Sequence, residues 1–331
     1  MADTSPSALV VRLDGIGDAL ALTPLVAALR ERGVRVSAVM QERNAQALST
    51  KAFDRLHVAD FHLRDRSAKN RKAVAAFARE RLRPERYDYA LIATEDFSGY
   101  AVAHEAGIAR RIGFENGWGK PLKSLLVRGL CTQTVRRAAG LDPRAPHECA
   151  VLFELGRTIL GTRAKPTRDP AILRPLVLDR EAVPDPRVAV QVTDKWMRLG
   201  AGFDDLADLV RALRTQGDIR LLASAAESPF ADALGSAVGM RIETFASLPG
   251  WKAAIAASRV LVAPDSGAMH VAGMTGTPVV GCFSAKDFAL QAARWMPWAA
   301  PNETVAMSGE WVLSAANAAA RLRLADMTAT L

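Results

Sequence analysis

Four short segments of the chain combine residue types and spacings that could do chemistry. The strongest reads Val260-Leu-Val-Ala-Pro-Asp265-Ser266-Gly267-Ala268-Met269-His270, an apolar run followed by Asp-Ser-Gly and a helix-compatible stretch. The backbone amides of Ser266, Gly267, Ala268 and Met269 would start that helix and cradle an anion. Asp265 can accept hydrogen bonds from sugar hydroxyls beside the cradle, and it is also a good helix cap. His270 falls one turn further on, where a lone histidine serves packing more often than catalysis.

The second segment is Gly15-Ile16-Gly17-Asp18, between an apolar run and a helical pattern. Glycines at such a turn let an anion approach the backbone, so Gly17 joins the candidate binding residues. Position 20 is leucine, and no clear acidic ribose partner stands about 20 residues on, so a dinucleotide fingerprint is absent. Asp18 has two readings. It can be a first-turn acid facing the helix dipole, or a general base that takes a proton from an attacking hydroxyl.

Thr193-Asp194-Lys195-Trp196 and Ala223–Ser228 complete the set. A lysine at a strand end suits a diphosphate, because it balances charge that develops on a departing nucleotide. Taken alone, Lys195 reads more readily as an ordinary surface lysine. Glu227 is the only charge in its segment. A carboxylate there can accept from ribose hydroxyls, or serve as the first acid of the helix that follows.

The elements that must position these residues follow from periodicity. Apolar runs at Ala8–Leu13, Val34–Met40 and Tyr87–Thr94 read as strands, with a helix predicted over Ala19–Arg32 and another over Ala145–Thr162. The second half repeats the alternation. Strands are predicted at Arg187–Val192, Ile219–Ser224, Val260–Ala263 and Pro278–Phe283. Helices are predicted at Phe203–Arg214, Pro249–Ala257, His270–Thr275 and Trp311–Leu324. The fold class is therefore α/β, with two Rossmann-like, doubly wound domains expected to face each other across a cleft. The expected division is an N-terminal domain over 1–165, a proline-rich linker over 166–186 and a C-terminal domain over 187–310. The last helix, 311–331, would be available to pack back on the N-terminal domain.

Composition narrows the function. Half of the 331 residues are hydrophobic and 24% are charged, which suits full cores and excludes a disordered chain. No run approaches the roughly 18 apolar residues of a spanning helix. Met1–Ser7 is polar and acidic and lacks the shape of a signal peptide. Three scattered cysteines argue against a disulfide scaffold and fit a reducing compartment. The histidines at 57, 62, 104 and 147 show no ligand spacing, so no metal is expected. Net charge is +8, and the excess is local. Residues 64–86 hold nine Lys/Arg against three acids, and residues 110–137 hold seven against one. Such a surface is either simply solvated or faces a polyanion. Nucleic acid is not expected, because aromatic interleaving and the known binding motifs are missing.

Read in order, the segments resemble a known family. Val11-Arg12-Leu13-Asp14-Gly15-Ile16-Gly17-Asp18-Ala19, followed by Thr23-Pro24-Leu25, is similar to the opening of the lipopolysaccharide heptosyltransferases, glycosyltransferase family 9. Asp265-Ser266-Gly267-Ala268-Met269-His270, followed by Gly276-Thr-Pro278 and Phe283, resembles their second signature. Lys195-Trp196, Glu227 and His147-Glu148 fall where that family has related residues. The resemblance spans residues 8–325. It departs at Asp14, where the family often has Ser or Thr, at Met197-Arg198 and at Ser284-Ala285-Lys286.

The resemblance implies a GT-B fold and an inverting, metal-independent transfer of heptose from ADP-heptose to the inner core of lipopolysaccharide. No cofactor is implied, only a nucleotide-sugar co-substrate. Asp18 would be the base. Lys195, Glu227, Asp265, Ser266, Gly267, Ala268, His270 and Gly17 would bind the donor. The anionic glycolipid acceptor would meet the basic stretches, with Arg64, Arg66, Lys69, Arg71, Lys72, Lys120 and Lys123 as candidates. Location would be cytoplasmic, peripheral at the inner membrane's cytoplasmic face, in contact with its anionic surface. Two other functions share these features: a same-fold glycosyltransferase with another donor or a protein acceptor, and a non-catalytic nucleotide-sugar-binding homologue.

Overall fold

The computed structural model describes residues 5–138 and 146–329, with side chains described as far as Ala325. Ala145, the expected first residue of the helix before the linker, lies outside that range, as do Met1 to Thr4 of the acidic N-terminus. The chain divides into two compact units, Met1–Thr167 and Arg168–Leu331.

The first unit is built on six strands: β1 Ser7–Arg12, β2 Arg35–Gln41, β3 Arg55–Ala59, β4 Tyr89–Ile92, β5 Arg110–Glu115 and β6 Gln133–Arg136. They pair in the order β3-β2-β1-β4-β5-β6, all parallel. Its helices are α1 Ile16–Leu20, α2 Thr23–Glu31, α3 Glu42–Ala45, α4 Ala68–Phe77, α5 Phe97–Glu105, α6 Pro121–Leu130, α7 Glu148–Phe153 and α8 Arg157–Leu160. Every residue of β1 is buried, which is why its sequence runs apolar without alternation. One core joins β1 and β4 to α4, α5 and α6 through Leu9, Val11, Val74, Phe77, Tyr100 and Val127.

The second unit repeats that plan with β7 Asp185–Gln191, β8 Ile219–Ser224, β9 Ile242–Phe245, β10 Ser258–Pro264, β11 Val279–Ser284 and β12 Asn302–Met307. Their order is β12-β11-β10-β7-β8-β9, again parallel. Counted from the first strand of each unit, both sheets have the doubly wound order 3-2-1-4-5-6. The helices are α9 Pro170–Val177, α10 Lys195–Arg198, α11 Phe203–Gln216, α12 Ser228–Val238, α13 Leu248–Ala257, α14 Gly267–Thr275, α15 Phe288–Trp295 and α16 Trp311–Ala329.

Three local outcomes differ from the sequence expectation. The helix predicted over Ala19–Arg32 is two helices. Pro24 occupies the first turn of α2, where its missing amide costs nothing, and Thr23 Oγ1 donates to Leu20 O at 2.8 Å. The proline-rich window 166–186 contains α9. Pro170 sits at its first turn, Asp169 caps it by accepting from the Ala171 amide at 2.9 Å, and it packs on α14. The expected long helix before the linker is two short α segments with one 3-10 turn, Glu154–Gly156, between them. The last helix, α16, packs on α11 and on strands β10, β11 and β12 of its own unit.

Candidate active site

In the first unit the chemistry gathers at the carboxyl end of β1. Arg12 is the last residue of that buried strand, and only 2% of its surface is exposed. A buried guanidinium needs partners, and three carboxylates supply them. Nη2 lies 2.5 Å from Asp18 Oδ1 and 3.6 Å from Glu148 Oε1, and Nε lies 3.6 Å from Asp14 Oδ2. Nη1 donates to Ala93 O. Asn44, buried, pins the turn by donating from Nδ2 to Asp14 O at 2.8 Å and to Arg12 O at 3.3 Å.

Asp18 sits in the first turn of α1, and its Oδ2 accepts from the Gly15 amide at 3.1 Å. The helix-terminal role is thus present, together with the contact to Arg12. About a third of the Asp18 side chain stays exposed, 32%, so lone pairs remain for a substrate proton. Gly15 has an extended backbone, and its need for glycine is spatial. A Cβ there would lie 3.2 Å from Asp18 Oδ2.

Electrostatics follow from this crowding. Burial opposes the charge on Arg12, but the fields of Asp18, Asp14 and Glu148 outweigh it and hold its pKa above the ordinary value. Burial pushes the Asp14 carboxyl up. Arg12 opposes that, and the Asp18 charge adds to it. Asp14 is therefore a perturbed acid standing beside Asp18.

The network continues outward. Glu148, fully buried at the start of α7, accepts from Arg137 Nη2 at 3.0 Å. Arg137 Nε lies 3.1 Å from Glu95 Oε1, and Glu95 Oε2 lies 2.9 Å from Lys123 Nζ and 3.5 Å from Lys120 Nζ. Burial works to raise the Glu95 pKa, but the Lys123 hydrogen bond and the Arg137 and lysine charges prevail and hold it below the ordinary value. Lys120 and Lys123, expected as acceptor residues, thus join a line of alternating charges that ends at Asp18. The other expected acceptor residues lie on the approach to α4 and in its first turns. Arg64 donates its amide to Asp96 Oδ2 at 3.0 Å from a left-handed backbone (φ 61°), and Arg71 Nη1 donates to Arg66 O at 2.5 Å. Lys69 and Lys72 stand exposed on α4 itself.

In the second unit the candidates sit at the carboxyl ends of β7, β8 and β10, three adjacent strands. Glu227 bridges two of these loops. Its Oε1 accepts from Thr193 Oγ1 at 2.8 Å and its Oε2 from the Asp194 amide at 3.1 Å. Each oxygen keeps a lone pair for a ribose hydroxyl. Lys195 is half-buried and makes no ion pair with the described residues. Its position is set by Trp196, which is fully buried, donates from Nε1 to Gln191 O at 2.8 Å and stacks on Trp311 at 5.7 Å. The tryptophan after the lysine is thus the anchor of α10.

After β10, Asp265 donates its amide to Cys282 O at 2.8 Å and leads into Ser266, the cap of α14. Ser266 Oγ is buried and has no hydrogen-bond partner among the described residues. It lies beside the free amides of Gly267, Ala268 and Met269 at the start of α14. His270 is buried, with Nε2 3.9 Å from Asp265 Oδ1 and its ring edge-on to Trp295 at 5.6 Å. Its packing role is evident. Gly17, the remaining candidate, lies in α1 of the first unit.

Sequence reasoning gave no role to Arg12, Glu95, Arg137 or Thr193, and left Glu148 as a loose match. Arg12 carried a usable signal. A lone arginine inside the run Ala8–Leu13 must be buried with its strand, and a buried charge requires acids around it. Among the described residues no three His, Cys, Asp or Glu side chains gather as a metal site, and no helix is long and apolar enough to cross a membrane.

Two doubly wound parallel units in one chain, each with polar residues gathered at strand carboxyl ends, define the GT-B fold. Residues 202–321 match the family model for glycosyltransferase family 9 (heptosyltransferase). The structure is similar to a glycosyl transferase of family 9 from Veillonella parvula, at 16% identity and TM-score 0.72, covering 98% of this chain and 99% of that one. It is similar to the E. coli heptosyltransferase WaaC solved with ADP-2-deoxy-2-fluoro heptose, at 18% identity and TM-score 0.72, covering 97% and 99%. E. coli ADP-heptose lps heptosyltransferase II follows at 16% identity and TM-score 0.68, covering 97% and 99%. No curated protein matches by sequence. The family match thus lies within the second unit, and the chain as a whole shares the fold of these glycosyltransferases.

Proposed function

We propose that this protein transfers heptose from ADP-heptose to the inner core of lipopolysaccharide, with inversion and without a metal ion. The observation that carries the reading is the Asp18 carboxylate at the first turn of α1, partly exposed and aligned by Arg12 and the Gly15 amide. In this reading Asp18 takes the proton of the acceptor hydroxyl as its oxygen bonds to the sugar's anomeric carbon. The bond from that carbon to the diphosphate breaks, and ADP carries away the electron pair.

The second unit holds the donor. Lys195 and the first amides of α14, with Ser266, Gly267 and Ala268, meet the diphosphate and its developing charge. Glu227 accepts from the ribose. Asp265 accepts from sugar hydroxyls, with His270 packed behind it and Gly17 lining the turn beside Asp18. The acceptor is an anionic glycolipid, met by Arg64, Arg66, Lys69, Arg71, Lys72, Lys120 and Lys123. The protein works at the cytoplasmic face of the inner membrane. Two of the solved structures it resembles, at TM-scores of 0.72 and 0.68, carry an ADP-heptose analogue or ADP-heptose in their names, while two named for UDP or UDP-GlcNAc reach only 0.52 and 0.53, which supports this donor.

Calorimetric titration with ADP, UDP, GDP and NAD tests the donor. Preference for ADP is expected, and preference for UDP or GDP would move the function to another sugar. The Asp18→Asn variant tests the base. It should lose turnover by about 10²–10⁴-fold while holding ADP as tightly as the unaltered protein. Retained turnover would remove Asp18 from that role.

A further inference from the structure

Helix α6 and the turn before it carry a feature that neither the core nor the site uses. Trp118 is 90% exposed, Leu122 79%, Leu125 68% and Leu126 57%. Leu122, Leu125 and Leu126 are spaced i, i+3, i+4 and therefore share one face of the helix. The opposite face carries Ser124 and Val127, both buried, and docks on β5. Ser124 Oγ donates to Lys120 O at 2.9 Å and accepts from the Asn116 amide at 3.1 Å, which fixes the helix and its turn. Gly117 holds a left-handed backbone there (φ 55°), and Trp118 follows it outward. The apolar face is thus rigidly presented.

The surrounding charge is positive. Lys120, Lys123 and Arg128 lie on or beside α6; the two lysines share Glu95 and Arg128 pairs with Glu115, and the stretch 110–137 keeps an excess of seven basic residues over one acid. Helix α5 packs between α6 and α4, the helix that carries Lys69, Arg71 and Lys72. An apolar stripe flanked by basic side chains fits an anionic bilayer surface, where leucine and tryptophan sit at the acyl boundary and cations meet headgroup phosphates. A second copy of this chain would bring the same positive charge against it. At ten residues, α6 is too short to span and would lie in the plane of the interface.

We propose that Trp118, Leu122, Leu125 and Leu126 form a lipid-inserting surface that docks the first unit on an anionic membrane. The proposal extends the acceptor half of the function above. Vesicle binding requires neither donor nor acceptor, so its failure would leave the nucleotide titration untouched, and failure of the titration would leave the vesicle result standing.

The test is flotation of the full chain with vesicles of phosphatidylethanolamine and phosphatidylglycerol, beside vesicles of phosphatidylcholine alone. Binding to the anionic vesicles is expected, weakening with added salt. The variant Leu122→Gln/Leu125→Gln/Leu126→Gln should lower partitioning by about tenfold or more with an unchanged thermal unfolding profile. Brominated lipid should quench tryptophan emission, and Trp118→Phe should remove most of that quenching, since four of the other five tryptophans are buried and Trp295 is half-buried. An unaltered chain that floats with neither vesicle would overturn the proposal, as would a triple variant that binds as well as the original. Lipid-free self-association that the triple variant abolishes would assign the face to a second copy instead.

Discussion

Arg12 Nη2 lies 2.5 Å from Asp18 Oδ1, so the residue proposed as base is held by a guanidinium that is itself almost wholly buried. The same side chain reaches Asp14 and Glu148. One cation at the end of β1 therefore sets both the orientation of Asp18 and the charge balance of the turn around it. A positioning arginine of this kind restrains the carboxylate without occupying all its lone pairs.

Replacing Arg12 by methionine keeps much of its volume and removes its charge. Asp14, Asp18 and Glu148 would then crowd one turn without the cation that they share, while Glu148 keeps Arg137. The expected cost is about 3–5 kcal/mol of unfolding free energy, because a partner of a buried ionic group has been removed. Urea unfolding measures it. Turnover should fall as well, and a variant with unchanged stability and turnover would refute the positioning role.

The segments that could be seen in the sequence are those whose parts are contiguous. Strand, glycine turn and helix follow one another at Ser7–Leu20, and again at Ser258–Thr275, so the periodicity change and the turn chemistry lie in one window. Strands β3, β5, β6, β9 and β12 were not legible. Arg55–Ala59 alternates unevenly between exposed and buried at a sheet edge, and Arg110–Glu115 opens on two arginines. The ion-pair line from Asp18 through Arg12, Glu148, Arg137 and Glu95 to Lys123 draws on six separate elements and loops. No local spacing encodes it. In the sequence Lys120, Lys123 and Arg137 are only members of a basic stretch, and the acids that engage them stand elsewhere in the chain.

Lys252 gives a pH dependence. Its side chain is buried in α13 and donates from Nζ to Val177 O at 2.7 Å, tying α13 to the end of α9. Burial disfavours the ammonium, only partly offset by Asp179, and lowers the pKa from 10.5 to about 8. Between those values the unfolded chain holds a proton that the folded chain has shed. This contribution to stability therefore rises as pH increases from about 8 towards 10.5, by at most about 3 kcal/mol. Comparing denaturant unfolding of the unaltered chain and Lys252→Met across that window checks it. Parallel pH profiles for the two proteins would contradict the assignment.

Gly276 ends α14 in a left-handed conformation (φ 79°), and a Cβ there would lie 2.8 Å from Pro170 Cβ. Alanine would meet both backbone strain and that contact. Gly276→Ala should lose about 1–3 kcal/mol, seen as a lowered melting temperature. An undiminished melting temperature would mean that α9 moves aside without cost.

Ser266 separates a structural from a binding role within one residue. Its buried hydroxyl finds no partner among the described residues, so the fold loses no hydrogen bond when it is removed. Ser266→Ala should therefore leave thermal stability unchanged or slightly raised. If the hydroxyl meets the diphosphate beside the α14 amides, the same variant weakens ADP binding by about 3–10-fold, the worth of a neutral hydrogen bond. Lys195→Met should cost more, about 10–100-fold, because its contact is charged. Both are read by calorimetric titration. Equal ADP affinity in Ser266→Ala, alongside a loss in Lys195→Met, would place the phosphates at the lysine and away from the helix start. A loss in both that scales as stated would place them between the two.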